Sequence, residues 1–489
     1  MKKLMGEYID TNAIKKINPL SPLADTAKKQ DDFFQTEFAN EKKDSSAIGK
    51  DQSVSVANYE VLKTIKQYRY KPPKFSVDYG SAGLNFGVLI NRYQPYGGGA
   101  GPIMLNSNTV LNGLIRLGTV ELLEDQRISG GYKISSNLKD NEWLMSYQNY
   151  KRRLDWGLTY YRNVQQAGDQ FGNFVGRFYT NLYQVNVSYP FDASKSIRLS
   201  TGIRSDKFVF AAGDPASLIE PDQKTIFSTT HLEYVYDNTL NPAMNIWNGL
   251  RYKFFIDWNR QVNKVQFADG PTTFNFGFDA RYYYPILRNF IWAGRAAGDF
   301  SWGNQKMIYY LGGVDGWLML RENQVIDPNT NTLIKERYFN TNNPPAPDQD
   351  YAFQSLAVNM RGYIQNVANG NNAVVINSEF RLPVFSTIFQ RPINNSFLRN
   401  FQIIQFFDFG TAWNGAYTKL KRPEVSYTNP TNNVTVRVKS GGVGPFAAGY
   451  GFGARSTLLG YFVKFDAGWP MTGFFKDKPI LYIAFGLDF

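Results

Sequence analysis

The chain has 489 residues, of which 43% are hydrophobic and 16% are aromatic, and its formal net charge is +12. With no cysteine and a single histidine, disulfides, thiolate chemistry and metal sites built from several His or Cys ligands are excluded, and the lack of a long uninterrupted apolar run excludes a transmembrane helix. The 53 Lys and Arg residues are dispersed along the sequence, which argues against a nucleic-acid partner and favours charges in the lumen and loops of a barrel.

Residues 1–70 are polar, rich in Lys, Asp, Ser and Asn, and show no sustained periodicity. This composition is typical of a linker that is partly disordered or docked on a partner. The first three residues resemble the start of a signal sequence, but Glu7 and Asp10 interrupt the segment that should be apolar. We therefore expect residues 1–70 to be an N-terminal extension, and the chain to be the carboxy-terminal part of a longer protein.

From residue 71 to residue 489, short stretches follow in which apolar and polar residues alternate. Alternation of this kind is typical of strands that separate lipid from a wet interior. It predicts an all-β fold, a transmembrane antiparallel β-barrel of about 16 strands over residues 71–489. The predicted strands are Lys74–Asn91, Ser107–Val120, Gln126–Ser136, Glu142–Arg152, Leu154–Gln165, Val175–Tyr189, Ile197–Phe210, Thr225–Asp237, Trp247–Gln261, Thr272–Ile286, Asn289–Trp302, Ala373–Val384, Asn400–Trp413, Ala447–Leu458, Tyr461–Trp469 and Ile480–Phe489.

The last stretch, Ile480–Phe489, shows the alternation most strictly. Large apolar side chains occupy every second position of this stretch: Leu481, Ile483, Phe485, Leu487 and Phe489. A free hydrophobic edge strand invites aggregation, and pairing it with another strand removes the edge. We therefore predict that Ile480–Phe489 is the final strand of a barrel and that it closes onto another strand.

Two connections are far longer than the others, Gly303 to Asn372 between predicted strands 11 and 12, and Asn414 to Phe446. Loops of such length are normally functional or disordered. The first carries two glycine-bearing signals, Tyr310-Leu311-Gly312-Gly313 and Met360-Arg361-Gly362-Tyr363. We predict that this first loop inserts into the lumen of the barrel.

Charge complementarity predicts where that loop docks. By alternation, Glu379 on predicted strand 12 and Asp408 on predicted strand 13 both face inward, and carboxylates shielded from water need a cation. The planar guanidinium of Arg361 matches carboxylates in geometry, and Gly362 beside it allows a turn that other residues resist. The hypothesis is that the loop folds back and that Arg361 binds Glu379 and Asp408.

These residues carry a resemblance to a known family. Arg361-Gly362-Tyr363 resembles the (Val/Ile)-Arg-Gly-(Phe/Tyr) loop tip of the BamA/TamA superfamily, also called outer-membrane-protein-85, which includes assembly factors and two-partner translocators. The likeness covers roughly residues 308–489, and its other elements follow in the family's order: Glu379, Phe406-x-Asp408-x-Gly410, Gly451-x-Gly453-x-Arg455 and Phe489. The sequence departs from the pattern at Met360, in an insertion between Gly313 and Arg361, and in the lack of POTRA modules.

The resemblance implies a role for each matching residue. Arg361, Gly362 and Tyr363 would form the loop tip, and Glu379 and Asp408 its receptor on the barrel wall. Two further residues, Phe485 and Phe489, would carry the carboxy-terminal signal by which such barrels are themselves inserted.

The resemblance also implies a location and partners. The barrel looks like a Bacteroidota subgroup in which it follows a TolB-like propeller, and Tyr70–Tyr79 is similar to the entry strand of that subgroup. It implies a protein integral to the bacterial outer membrane with its N-terminus in the periplasm. The implied partners are outer-membrane lipid and lipopolysaccharide, periplasmic or outer-membrane proteins, and client proteins.

Other functions remain open at this point. An enzyme is disfavoured because His231 is the only histidine and is expected to point inward beside Glu233, and no cofactor or metal site is predicted. A passive pore or transporter is compatible with a wide barrel, and so is a structural or accessory subunit of an outer-membrane complex. Membership of a fold family does not by itself establish activity.

Overall fold

The structure is a computed structural model. It describes residues 75–84, 93–96, 112–135, 138–168, 174–211, 213, 218–263, 270–287, 289–320, 324–327, 329–389, 391–416, 424–428, 435–439, 446–471 and 478–486. The predicted extension 1–70 and the terminal Phe489 lie outside these residues. Across these ranges, the helices are all too short or too polar to span a lipid bilayer.

Sixteen strands form one continuous antiparallel wall in which each strand pairs with the next along the chain. Each coincides with one of the sixteen predicted strands, so the predicted all-β barrel is confirmed. The wall strands are β1 (Phe75–Leu84), β3 (Asn112–Glu121), β4 (Gln126–Ser135), β5 (Asn141–Asn149), β6 (Asp155–Gly168), β7 (Phe174–Pro190), β8 (Lys195–Phe210), β9 (Gln223–Asp237), β11 (Ile246–Gln261), β12 (Thr272–Pro285), β13 (Ile291–Gly303), β19 (Asn372–Pro383), β20 (Gln402–Trp413), β23 (Ala447–Leu458), β24 (Tyr461–Pro470) and β25 (Ile480–Phe485).

The two faces of this wall differ in chemistry. On β11, Phe254, Ile256 and Trp258 are exposed, whereas the alternate residues Asp257 and Asn259 are buried. Successive side chains of a strand point to opposite faces, so the apolar set lines the outside and the polar set the inside. The outer face is thus apolar although no other part of the described chain covers these side chains.

Aromatic side chains mark two levels of the outer face. At one level Phe274 stacks between Trp258 and Trp302, with interplanar angles of 5° and 13°. At the other level lie the exposed Tyr282 and Tyr284. Rows of aromatic residues at two heights flank the apolar band of a transmembrane barrel.

The two ends of the barrel differ in their connections. The end at which β1 begins carries short turns, such as Leu459-Gly460, whose left-handed φ angles of 51° and 85° close a two-residue hairpin. The same end carries β10 (Leu240–Ala243) and the β19–β20 connection, which contains the helices α1 (Val384–Ile388) and α2 (Ser396–Asn400). The sequence pattern did not reveal these two helices, because each is only five residues long.

The opposite end carries the two long connections. The second of them contains a hairpin of β21 (Glu424–Thr428) and β22 (Thr435–Lys439). The first, residues 304–371, is called the inserted segment below. Its strands are β14 (Lys306–Leu311), β15 (Gln324–Ile326), β16 (Leu333–Glu336), β17 (Tyr351–Leu356) and β18 (Ala368–Gly370).

The inserted segment builds a small sheet of its own. Its order is β18-β14-β17-β2, in which β14 and β17 run parallel and β2 (Gln94–Pro95) is contributed by the connection after β1. The apolar side chains of this sheet are buried, and five of them are at most 2% exposed: Met307, Ile308, Tyr310, Leu311 and Phe353. The alternation of apolar and polar residues did not predict this sheet, because a strand that is buried on both faces has apolar residues at successive positions.

The wall curves around the inserted segment. Phe353 of β17 packs against Phe227 of β9 and lies under the guanidinium of Arg204 of β8. On another side, Trp317 forms a bridge with Ala484 of β25. Because the segment touches wall strands this far apart in the sheet, it lies inside the barrel, and its predicted insertion into the lumen is confirmed.

Candidate functional site

The tip of the inserted segment is a tight turn with a backbone that only glycine adopts readily. Gly362 has a φ of +93°, and Gly313, in an adjacent stretch of the inserted segment, has a φ of +81°. Two backbone hydrogen bonds join these stretches: Met360 N–H donates to the Gly313 carbonyl at 2.9 Å, and Gly313 N–H donates to the Tyr363 carbonyl at 3.1 Å. The turn therefore presents Arg361 in a defined direction.

Arg361 meets both predicted carboxylates. Its Nε and Nη2 donate to the two oxygens of Asp408 at 2.7 and 2.8 Å, and its Nη1 donates to Glu379 at 2.6 Å. Its backbone N–H also donates to Asp408, at 2.9 Å. The bidentate arrangement with Asp408 is the geometry that gives an arginine–carboxylate pair directional specificity.

This ion cluster is shut off from water. Arg361 is 4% exposed, Glu379 1% and Asp408 0%. Phe406 of β20 lies beneath the guanidinium, whose central carbon is 3.8 Å from the ring centroid. Burial alone would lower the pKa of Arg361, but Asp408 and Glu379 hold that pKa well above its usual range, so the side chain is a permanent cation.

Further charges on the wall complete the cluster. Arg381 binds the second oxygen of Glu379 at 2.8 Å, and Asp466 of β24 lies 3.7 Å from Arg361 and pairs with Arg455 of β23. Three arginines therefore face three carboxylates, and Lys464 is buried at the edge of the same cluster. Matching charges and mutual hydrogen bonds are what make such a buried set tolerable.

Where the tip contacts the wall, glycines on both sides leave room for the two backbones to approach closely. A Cβ on Gly449 of β23 would overlap the carbonyl oxygen of Arg361, and one on Gly468 of β24 would lie 2.6 Å from the backbone nitrogen of Gly362. A Cβ on Gly362 would in turn lie 2.6 Å from the Trp469 carbonyl oxygen. All three separations are below normal contact. The absence of side chains on both partners thus lets the backbones approach.

Two tyrosines close the contact from either side. The hydroxyl of Tyr482, on β25, accepts from Gly362 N–H at 3.0 Å and donates to the Tyr363 carbonyl at 2.7 Å. The hydroxyl of Tyr363 donates to the Ala448 carbonyl at 3.0 Å. The tip is therefore bound by the five consecutive wall strands β19, β20, β23, β24 and β25.

The structure brings together the five residues named as loop tip and receptor: Arg361, Gly362, Tyr363, Glu379 and Asp408. Phe485, named as part of a terminal signal, is a half-buried residue at the end of β25, whose ring meets Tyr461 edge-on; Phe489 lies outside the described residues. Sequence reasoning missed the parts played by Asp466 and Tyr482. The alternation of side chains along the strands could have predicted their inward position, because the adjacent residues Phe465 and Leu481 are apolar and exposed on the outer face.

A second polar region lies inside the barrel, away from the tip. His231 Nδ1 is 2.6 Å from Asp257, and its Nε2 is 3.5 Å from Glu233. These side chains line a cavity of about 510 Å³ between the wall and the inserted segment. Within the described ranges, no group of three or more His, Cys, Asp or Glu side chains is arranged to hold a metal ion.

No protein-family model matches the sequence, and no curated protein is similar to it in sequence. Among solved structures, BamA from Haemophilus ducreyi lacking POTRA domains 1–3 has a TM-score of 0.48 at 12% identity, over 84% of this chain and 70% of that one. CdiB from Escherichia coli has 0.41 at 12%, over 85% and 67%, and CdiB from Acinetobacter baumannii has 0.40 at 12%, over 78% and 57%.

Proposed function

We propose that this chain is an integral outer-membrane barrel of the BamA/TamA type that takes part in the assembly, insertion or translocation of proteins. The observation that carries the proposal is the docked tip, in which Arg361 is enclosed by Asp408 and Glu379 on the inner wall. The tip residues Arg361, Gly362 and Tyr363 match the family pattern, and they contact the wall strands from β19 to the last strand, β25.

The outer face supports a membrane location. Leu199, Leu232 and Ile256 stand side by side on β8, β9 and β11 and are 37%, 40% and 46% exposed. Soluble proteins rarely leave a continuous apolar surface of this kind open. On β11, Trp258 lies eight residue steps beyond Leu250, which pairs with Tyr282. This is about 27 Å along the strand and about 20 Å along the axis of a tilted barrel, close to the height of a lipid-facing band.

The connections support an orientation. Outer-membrane barrels keep short turns on the periplasmic side and long loops outside. In this chain β1 begins at the end that carries short turns such as Leu459-Gly460. The residues before Phe75 would therefore enter the barrel from the periplasm.

The packed interior weighs against a passive pore. Residues 304–371 bring a buried sheet into the lumen, and the tip cluster ties that sheet to the wall through Arg361. An open channel would require the inserted segment to leave. A structural or accessory role in an outer-membrane complex is compatible with the same geometry. The depletion experiment below distinguishes that role from a role in protein assembly.

The test is depletion of this protein followed by quantitative proteomics of the outer membrane, with transcript levels as the control. We expect many unrelated barrel proteins to fall together while their transcripts hold. Loss of a single outer-membrane or secreted protein would instead identify a dedicated translocator. No loss would overturn the proposal and leave a pore or an accessory subunit.

A further inference from the structure

The connection between β19 and β20 differs from the other turns at its end of the barrel. It folds into the two helices α1 and α2, and four of its large apolar side chains are open: Ile388 at 66%, Phe389 at 56%, Phe397 at 42% and Leu398 at 38%. Its phenylalanines contact one another, with Phe385 packed against Phe389 and Phe401. An ordered aromatic cluster is thus held at the surface.

The start of α2 lies against the outer side of the wall. Ser456 of β23 has the same parity as the exposed outward residues Phe452 and Leu458, yet it is only 7% exposed. Its hydroxyl donates to the carbonyl of Phe397 at 2.7 Å, so α2 covers it. At its other end, α2 is held at the rim of the wall, where Asn400 donates to the inward-facing Thr457 at 2.8 Å. The helical connection is therefore fastened beside the outer face.

Exposed apolar residues of the outer face lie directly beside this connection. Phe380 on β19 and Ile403 on β20 are exposed outward residues on either side of it. Phe290, in the neighbouring turn, stacks on Phe380 at an interplanar angle of 26°. Beyond them the exposed Leu458 and Leu459 of the next turn extend the same surface.

The charge of the connection has one sign. Residues 384–401 contain Arg391 and Arg399 and no Asp or Glu. Both arginines are exposed, and no ion pair to either is seen in the part of the chain that the structure describes. Exposed apolar residues beside unpaired cations are typical of segments that lie in the headgroup layer of an anionic lipid surface.

We infer that the connection of residues 384–401 is an interfacial anchor that binds anionic phospholipid. Its phenylalanines and Leu398 enter the boundary between headgroups and acyl chains, and Arg391 and Arg399 bind lipid phosphates. The inference rests on the membrane location given under the proposed function. It adds a lipid-binding site at the short-turn end of β19 and β20, beside the wall strands that hold the tip.

The natural lack of cysteine makes the site directly measurable. Single substitutions Phe389→Cys and Leu398→Cys, each labelled with a small fluorophore, are reconstituted as the full chain into vesicles containing brominated phospholipid. Phe407→Cys on the outer face of β20 reports lipid contact of the barrel itself, and Ile326→Cys on β15 of the inserted segment reports water. We expect the labels at 389 and 398 to be quenched within about twofold of the label at 407, and the label at 326 to remain bright.

The outcomes separate the two proposals. If the label at 407 is not quenched, the membrane location itself is wrong. If it is quenched while those at 389 and 398 stay bright, the barrel is in the membrane but the anchor is not, and the aromatic cluster is open to a protein partner. That second result overturns the inference and leaves the proposed function standing.

A second measurement tests the arginines. The ratio of quenching by brominated phosphatidylglycerol to that by brominated phosphatidylcholine reports local enrichment of anionic lipid around the label at 389. Each arginine near an anionic surface is expected to contribute about a fivefold preference. Arg391→Gln combined with Arg399→Gln should bring the ratio to one without changing the label at 407. An unchanged ratio would exclude a phosphate-binding role for the two arginines.

Discussion

The first and last strands of the wall are packed very differently. On β25 the inward residues Tyr482 and Ala484 are 1% and 3% exposed, because the inserted segment lies against them. On β1, Tyr79 is 39% exposed, and no position from 75 to 83 on either face is buried. Among the described residues, the inserted segment thus covers the inner face of β25, whereas β1 is exposed along its length. The first and last strands therefore differ in how much packing holds them.

The same contrast holds for charged groups. In the first half of the wall, two buried ion pairs are formed by wall residues alone, Lys133 with Glu142 of the next strand at 3.1 Å and Arg204 with Asp206 of the same strand at 2.8 Å. In the last five strands, Asp408 relies on Arg361, a residue that arrives from outside the sheet. The stability of this half therefore depends on the inserted segment remaining in place.

The largest effect is expected from Arg361→Ala. It leaves Asp408 buried without its cation, and removing one partner of a buried pair costs about 3–5 kcal/mol of the free energy of unfolding. We expect a lower midpoint of thermal unfolding by circular dichroism in detergent, together with cleavage of the inserted segment by protease. Lys133→Ala is the matched control in the first half, and it should destabilise the wall without exposing that segment. Unchanged heat stability and continued protease protection in Arg361→Ala would refute the docking role.

A smaller effect is expected from Gly449→Ala. The added methyl group overlaps the Arg361 carbonyl, and forcing one carbon into a packed contact costs about 1–3 kcal/mol. Gly130→Ala on β4 is the control, because its Cβ would find its nearest neighbour at 3.8 Å. The readout is the thermal midpoint of each variant against the parent. Equal midpoints for both variants would mean that the tip can shift away from the wall freely.

An effect no larger than that of Gly449→Ala is expected from Tyr482→Phe. This change deletes the hydroxyl that joins Gly362 to Tyr363, and leaving a buried backbone group without its partner costs about 1–3 kcal/mol. Tyr147→Phe on β5 loses half-buried side-chain bonds, to Gln126 at 3.0 Å and from Asn149 at 3.4 Å, and should change stability by about 0.5–1 kcal/mol. Hydrogen exchange at the tip, followed by mass spectrometry, should rise in the first variant alone. A rise in both, or in neither, would remove Tyr482 from the docking contact.

Much of the wall followed from the sequence because strand alternation is local. Whether Phe254, Ile256 and Trp258 face outward depends only on a period of two, which needs no knowledge of neighbouring strands. The same parity put Glu379 and Asp408 inside, and the need of enclosed carboxylates for a cation pointed to Arg361. Fold and charge complementarity at the tip were therefore accessible without coordinates.

The sequence by itself thus determined the sixteen strands, their inner and outer faces, and the charges that must meet inside. Only the tertiary structure decided that Asp466 and Tyr482 join the tip, that β14 pairs with the distant β17, and that α2 lies on the outer wall. These contacts join residues far apart in the chain. Their formation depends on register and on how the sheet curves, and neither is written in the local alternation of side chains.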